Sequence, residues 1–409
     1  MRARHLAGRW SAVARAAGLL GADGVPRATI FAQMTSIAVA TGAINLGQGY
    51  PDADGPHAVL ERAVAAIRGG HNQYAPGPGI PELRRAIARH QERHRGLRWD
   101  PDSEVLVTTG ATEAIAAAVL ALTEPGDEVV TLEPFYDSYA AVIALAGAQR
   151  RTVPLHPPDA TTDRWHVDPA EVLAAIGPRT RLILLNTPHN PTGAVLTRAE
   201  LEAFATAAIR HDAVVVTDEV YEHLVYDGAV HVPIAALPGM AERTLTISSA
   251  GKTFSVTGWK IGWAGGPADL VDAVRAVKQF LTYTSGAPLQ PAIALALELD
   301  DEVAQLRASL QDRRDALCTG LQAAGFDVVV PEGTYFVVAD AAALGVQDAA
   351  AFCRELPERA GVVAIPVSAF TTPGGPAATA LASRVRFAFC RSAPDIEQAC
   401  RRLARAGWS

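Results

Sequence analysis

The chain has 409 residues and carries 36 Lys and Arg against 43 Asp and Glu, a formal net charge of −7. That length predicts two or three domains with a core that needs no staples, and hydrophobic and charged fractions of 49% and 19% argue against a disordered or fibrous chain. The mild acidity lacks the basic footprint of a nucleic-acid binder, and apolar runs such as residues 114–122 fall far short of the roughly 20 residues that span a bilayer.

In chain order, residues 1–30 are rich in Arg and Ala but lack an apolar signal core, and read as a loosely held leader or a helix packing on a neighbour. Gly77-Pro78-Gly79 is a turn. His90 and His94 stand at i and i+4, but the glutamate does not directly follow the first histidine and arginines crowd the run. A solvated helix face is the expectation there, with no metal. Residues 104–108, 128–132, 181–186, 213–218, 244–248 and 261–264 read as strands, several apolar on both faces, with helical patterns at 112–122 and 198–211 between them. This βα alternation predicts an α/β fold with a mostly parallel sheet. Gly251-Lys252-Thr253 is not a P-loop, because the required glycine is Thr246. Beyond residue 290 a charged helix-like stretch (291–325), strands at 326–330 and 333–340, a Gly/Pro-rich surface loop (371–379) expected to be mobile, and a closing helix (392–406) suggest a smaller α+β unit. Cys318, Cys353, Cys390 and Cys400 show no CxxC spacing and read as free thiols of a reducing, cytoplasmic compartment.

In an open α/β sheet, ligands bind beyond the carboxyl ends of the strands. The first strand is followed by Thr109-Gly110-Ala111-Thr112-Glu113, a turn opening a helix whose free N–H groups suit a phosphate. The next is followed by Phe135, Tyr136 and Tyr139, rings on which a flat group can stack. Then come an Asn- and Pro-rich turn (187–193), an aspartate at a strand end (Asp218), and Ser249-Ala250-Gly251-Lys252. Each piece alone is an ordinary cap, turn or solvated lysine; five in this order at five strand ends suit one ligand. Pyridoxal 5′-phosphate (PLP), with its phosphate, aromatic ring, pyridine nitrogen and aldehyde, needs this combination.

The segments Thr109–Glu113, Asn186–Gly193, Asp218–Tyr221 and 248–263 resemble those of class I/II aminotransferases of PLP fold type I, from about Asn45 to Phe387. The similarity extends to bacterial N-succinyldiaminopimelate aminotransferases and to kynurenine/glutamine/methionine aminotransferases. Glu133–Tyr139, Asp218–Val225 and Phe387–Cys390 favour the former. The resemblance implies a large PLP-binding domain (51–290) with a mostly parallel seven-stranded sheet covered by helices. It also implies a small α+β domain at 291–409, to which residues 1–50 contribute.

Residue by residue, the resemblance implies that Lys252 forms the Schiff base and moves the proton between Cα and C4′, its pKa depressed by burial and a neighbouring cationic ring. Asp218 would pair with the pyridine nitrogen, Asn190 and Tyr221 would bond the phenolic oxygen, and Tyr136, in preference to Phe135, would stack on the ring. The phosphate would sit on the turn at Gly110 and the N–H groups of Ala111 and Thr112, with Ser249 and Lys260. Tyr74 would reach the partner's phosphate, which implies a homodimer with shared sites. Arg386 would clamp the substrate α-carboxylate, helped by the Gly47 backbone and by Asn186, which also belongs to the cofactor set; Tyr50 would line the pocket. The implied activity is ping-pong transamination, with glutamate as donor and N-succinyl-2-amino-6-oxopimelate of lysine/diaminopimelate biosynthesis as acceptor. The alternative acceptors are those of the kynurenine, glutamine or methionine enzymes or of another pathway, with β-elimination from cysteine conjugates as a side activity. A ligand-sensing regulator is set aside, because too little chain precedes Asn45 for a helix-turn-helix module.

Overall fold

The structure, a computed structural model, describes residues 8–21 and 23–408, so the leader reading of residues 1–7 lies outside the described part. Among the described residues the strands are β1 (Ile44–Asn45), β2 (Val105–Thr108), β3 (Glu128–Glu133), β4 (Gln149–Pro154), β5 (Thr180–Asn186), β6 (Val214–Asp218), β7 (Thr244–Ser249) and β8 (Gly262–Gly265), then β9 (Asp327–Val329), β10 (Phe336–Asp340), β11 (Val362–Val363), β12 (Ile365–Pro366) and β13 (Arg384–Ala388). Seven of them form one sheet in the order β2-β8-β7-β6-β5-β3-β4. Only β8 runs against its neighbours, β2 and β7. The fold is α/β with a mostly parallel seven-stranded sheet.

The strands explain this burial themselves. In β5, Leu182 and Leu184 join a core with Val129, Val216, Leu245 and Ile247, while Ile183 and Leu185 join another with Val130, Val215, Leu201 and Phe204. Alternate side chains point to opposite faces, so a strand apolar at every position needs cover on both. Helices Gly110–Leu122, Asp137–Ala146 and Ala268–Lys278 supply one face, Pro169–Ala175 and Arg198–His211 the other. Each such fully buried leucine contributes roughly 1.5–3 kcal/mol.

A second, antiparallel sheet has the order β12-β13-β10-β9. Strand β1 pairs in parallel with β11, Ile44 opposite Val362. Residues 30–45 are thus built into the C-terminal part of the chain. Helix Trp10–Ala16 packs on Asp137–Ala146 of the same chain, and Arg9 donates to the Leu145 carbonyl at 2.9 Å.

Four expectations need correction. Strand β4 was not foreseen: its sequence QRRTVP puts polar side chains on an edge, where Arg151 pairs with Glu128 at 3.0 Å and Arg150 donates to Thr372 at 3.0 Å. The stretch 291–325 is two helices, Gln290–Ala296 and Asp300–Ala323; the second opens on three acids, which favour a helix N-terminus. The loop 371–379 is anchored, since Thr371 is buried and the Thr372 N–H donates to the Glu133 carboxylate. The helix bearing His90 and His94, Pro81–Arg95, is not a solvated face there: His90 and Gln91 are fully buried, and Gln91 and Arg95 both bond Glu222. No helix among the described residues is long and apolar enough to cross a membrane.

Candidate active site

One cavity of about 350 Å³ opens at the carboxyl ends of the parallel strands. Strand β2 ends at Thr108, and Gly110, at φ 71, turns the chain into helix Gly110–Leu122. The N-cap Thr109 makes no side-chain cap, so the first-turn N–H groups, which lack intrahelical acceptors, are offered to the cavity that Gly110, Ala111 and Thr112 line. The antiparallel strand β8 is what crowds this corner. A Cβ at Gly262 would lie 2.7 Å from the Gly110 carbonyl carbon and 2.8 Å from the Ala111 nitrogen, so only glycine fits. Lys260, held at φ 54 just before β8, projects its ammonium beside Gly110, and Ser249 closes the corner from the end of β7. A side chain other than glycine in the left-handed region marks a locally strained backbone.

The acid of the site is Asp218, the last residue of β6. The Tyr139 hydroxyl donates to its Oδ2 at 2.6 Å and the Val220 N–H reaches Oδ1 at 3.3 Å. Burial nevertheless pushes its pKa up to about 6. Lys252, on the short helix Ala250–Thr253, donates from Nζ to the Gly49 carbonyl at 3.1 Å and lies over the rings of Tyr335 (5.5 Å) and Tyr221 (5.8 Å). Burial draws it down to about 8, with Arg386 and Lys260 acting the same way and Cys390 and Asp218 opposing. Tyr136 faces the cavity, edge-on to Tyr139 at 5.8 Å, whereas Phe135 is buried beneath the Arg150 guanidinium. Burial raises the Tyr136 hydroxyl to about 12.

The opposite wall is built around Arg386 on β13, which is 1% exposed. It donates to the Gly47 carbonyl at 2.7 Å and to Asn190 Oδ1 at 2.9 Å, and its guanidinium lies 4.0, 4.7 and 5.6 Å from the rings of Phe336, Phe370 and Phe31. Burial lowers its pKa to about 10, and its Nε has no protein partner. Asn186 is not beside this arginine as expected. Its amide donates to the Asp218 carbonyl and accepts the Asn190 N–H, both at 2.8 Å, so it shapes the turn that presents Asn190.

The cavity therefore gathers Gly110, Ala111, Thr112, Tyr136, Asn186, Asn190, Asp218, Tyr221, Ser249, Lys252, Lys260, Tyr50 and Arg386. Gly47 touches it through Arg386, and Tyr50 has the Arg391 guanidinium 4.9 Å over its ring. Tyr74 stays apart: it is 85% exposed, against Tyr283 at 5.7 Å. Three contributors were not foreseen. Phe31 and Phe336 line the cavity from segments with no motif, and Tyr139, although it lies in the aromatic run after β3, gave no sign that its hydroxyl would seek Asp218.

A mostly parallel sheet with a buried lysine, a strand-end aspartate and an anion corner at one mouth defines a PLP fold type I enzyme. Residues 41–403 match the family described as Aminotransferase class I and II, and the chain belongs to that family. It is an aminotransferase that uses pyridoxal 5′-phosphate. The chain is 55% identical, over 381 residues (92% of this chain, 95% of the other), to the Mycobacterium tuberculosis protein named Probable N-succinyldiaminopimelate aminotransferase DapC. It is 42% identical over 343 residues (84% and 88%) to the methionine aminotransferase of Escherichia coli. Among solved structures, N-succinyldiaminopimelate aminotransferase from Mycobacterium tuberculosis superposes with a TM-score of 0.90, covering 93% of this chain and 97% of the other.

The residues present fit the cofactor. The uncapped helix start with Lys260 and Ser249 suits a phosphate, Tyr136 offers a ring face, and Asp218 is a buried carboxylate with no cation bonded to it.

Proposed function

We propose that the chain transfers the amino group of glutamate to N-succinyl-2-amino-6-oxopimelate in diaminopimelate and lysine biosynthesis. The observation that carries the chemistry is the single cavity holding Lys252, Asp218 and Arg386 at three of its walls. The choice of acceptor is supported by the 55% identity to the mycobacterial protein along nearly the whole of both chains.

When bound, pyridoxal phosphate supplies an electron sink for the bond broken at the substrate Cα. Asp218, oriented by the Tyr139 hydroxyl, would hold a proton on the pyridine nitrogen, and the Asn190 amide and the Tyr221 hydroxyl would bond the phenolic oxygen. Ala111, Thr112, Ser249 and Lys260 hold the phosphate. Arg386 would present its guanidinium to the substrate α-carboxylate, exchanging the Nη1 contact with Asn190 for charge-assisted bonds. Nζ of Lys252, lowered to about 8, is a base near working pH and takes the α-proton. The separate exposure of Tyr74 supports a homodimer in which it serves the partner's phosphate. The division into residues 51–290 and a small domain of 291–409, to which residues 30–50 contribute, is supported by the separation of the seven-stranded sheet from β12-β13-β10-β9 and β1-β11.

The test is a half-reaction and turnover panel on the purified enzyme, with glutamate as donor. The expected result is a steady rate with the succinylated keto acid that exceeds those with the keto acids of kynurenine, methionine and glutamine. A fast rate with one of these and none with the succinylated acceptor would move the chain to the other subgroup.

A further inference from the structure

Away from the cavity, helix Pro81–Arg95 carries His90 and His94 against a third imidazole, His223, and against Asp300 at the start of helix Asp300–Ala323. Ring centroids are 4.5 Å apart for His90–His94, 4.8 Å for His90–His223 and 5.1 Å for His94–His223. Nε2 of His94 lies 2.9 Å from Asp300 Oδ1, and Nε2 of His90 lies 2.8 Å from Nε2 of His223. One donor atom each from His90, His94 and Asp300 falls within 4.8 Å of the others.

We infer that this cluster binds one divalent transition-metal ion of the zinc type, through His90, His94 and Asp300, with the fourth position open to water. Imidazole and carboxylate are zinc donors, whereas calcium and magnesium demand oxygen ligands. At about 2.0–2.1 Å per bond, tetrahedral donors sit about 3.3 Å apart, so the present spacings need side-chain movements on the order of an ångström. The outer contacts are in place. His90 Nδ1 bonds the Leu297 carbonyl at 3.0 Å, which fixes the tautomer whose Nε2 carries the lone pair. His223 Nδ1 accepts from the Arg95 guanidinium at 3.4 Å, so its proton sits on Nε2 and donates to His90 Nε2, a bond that the ion would displace. Arg93 bonds Asp300 at 3.1 Å and keeps Glu298, at 3.5 Å, when the cation takes Oδ1. The donors grade from buried His90 to exposed Asp300, which opens the site to solvent on one side.

An ion there ties helix Pro81–Arg95 to helix Asp300–Ala323, so binding raises stability through ligand linkage. The experiment titrates tag-free holoenzyme, freed of metal by a chelator, with zinc chloride in a calorimeter, and follows Tm and the cofactor's visible absorbance. One equivalent per chain, a raised Tm and an unchanged absorbance are expected. His94→Ala and Asp300→Asn, both at the solvent edge, should each weaken binding at least about tenfold and remove the Tm rise, while keeping the transamination rate of the zinc-free enzyme. The absence of saturable binding, or zinc binding by both variants as by the parent, overturns the site. A change in cofactor absorbance on titration places the ion in the active cavity and overturns it equally.

Discussion

Burial pushes Lys252 toward the neutral amine its work requires and pushes Asp218 against the ionised form its work requires, and the two shifts together set a pH window. The lysine amine accepts a proton only when neutral, so the rate gained by deprotonation rises as pH climbs through about 8. The aspartate holds the cofactor only when ionised, so retention falls as pH drops through about 6. Cofactor content after gel filtration should therefore decline below pH about 6, and Asp218→Asn should remove that dependence while lowering turnover by about two orders of magnitude or more. An Asn variant that kept full turnover would remove Asp218 from its role. Lys252→Ala should abolish transamination, as followed by keto-acid release; full turnover in that variant would refute the assignment of the base. That Lys252, Asp218 and Asn190 share one cavity was legible because each stands in a motif at or just after a strand end, and Arg386, inside β13, was placed there only by the resemblance. Phe31, Phe336 and Tyr139 were not legible. What makes them part of the site is a contact across the fold, such as the 2.6 Å bond from Tyr139 to Asp218, and no local residue pattern encodes such a contact.

The elements that were legible share one property, the apolar continuity of a strand buried on both faces. Strands β5 and β6 show it, and both appear where expected. Strand β4 lacks it because one of its faces is wet, and its arginines read as loop. The helix break at Leu297–Leu299 carries no Gly or Pro, so the run of acids at 300–302 was its only sequence signal. The helix over residues 81–95 was misjudged for a different reason: its buried polar face is satisfied by Glu222 and His223, residues some 130 positions away, and composition alone made it look solvated. The close approach of β8 to helix Gly110–Leu122 gives a prediction at this scale. Gly262→Ala forces its Cβ against backbone, so it should cost about 1–3 kcal/mol of stability and displace the anion corner. A lowered Tm together with weaker cofactor binding is expected, and a variant that binds cofactor as before would show that the corner does not depend on this contact.

At the scale of the molecule, apolar side chains collect where no element of this chain covers them. Phe280 is 89% exposed, Tyr74 85% and Leu281 47%. Lys278 fastens the two loops that carry them, donating to the Gly77 and Tyr283 carbonyls at 2.9 and 2.5 Å. Large exposed rings held in place mark an interface. If the proposed homodimer closes through this face, Phe280→Asp should shift the particle from dimer toward monomer in light scattering and lower cofactor retention with it. Tyr74→Phe should weaken retention and leave the dimer intact. If Phe280→Asp stays dimeric with full cofactor content, the interface lies on another face. The net charge of −7 played no part in recognising an anionic cofactor, since Lys260, Lys252, Arg386 and a helix end set the local field.

Arg386 sits among three phenylalanines that come from helix Ile30–Thr41, from β10 and from the turn before residue 371. No one of these segments can hold the guanidinium alone, and a desolvated cation without its surround is costly. The carboxylate site proposed at Arg386 is therefore a property of the assembled chain, complete only when distant stretches have closed on one another. It follows by reciprocity that a bound carboxylate stabilises that closure as much as the closure favours the carboxylate. A simple dicarboxylate would then act on this enzyme as a folding aid, shielding helix Ile30–Thr41 from proteases while leaving the cofactor corner, fastened at the far side of the cavity, almost indifferent to its presence.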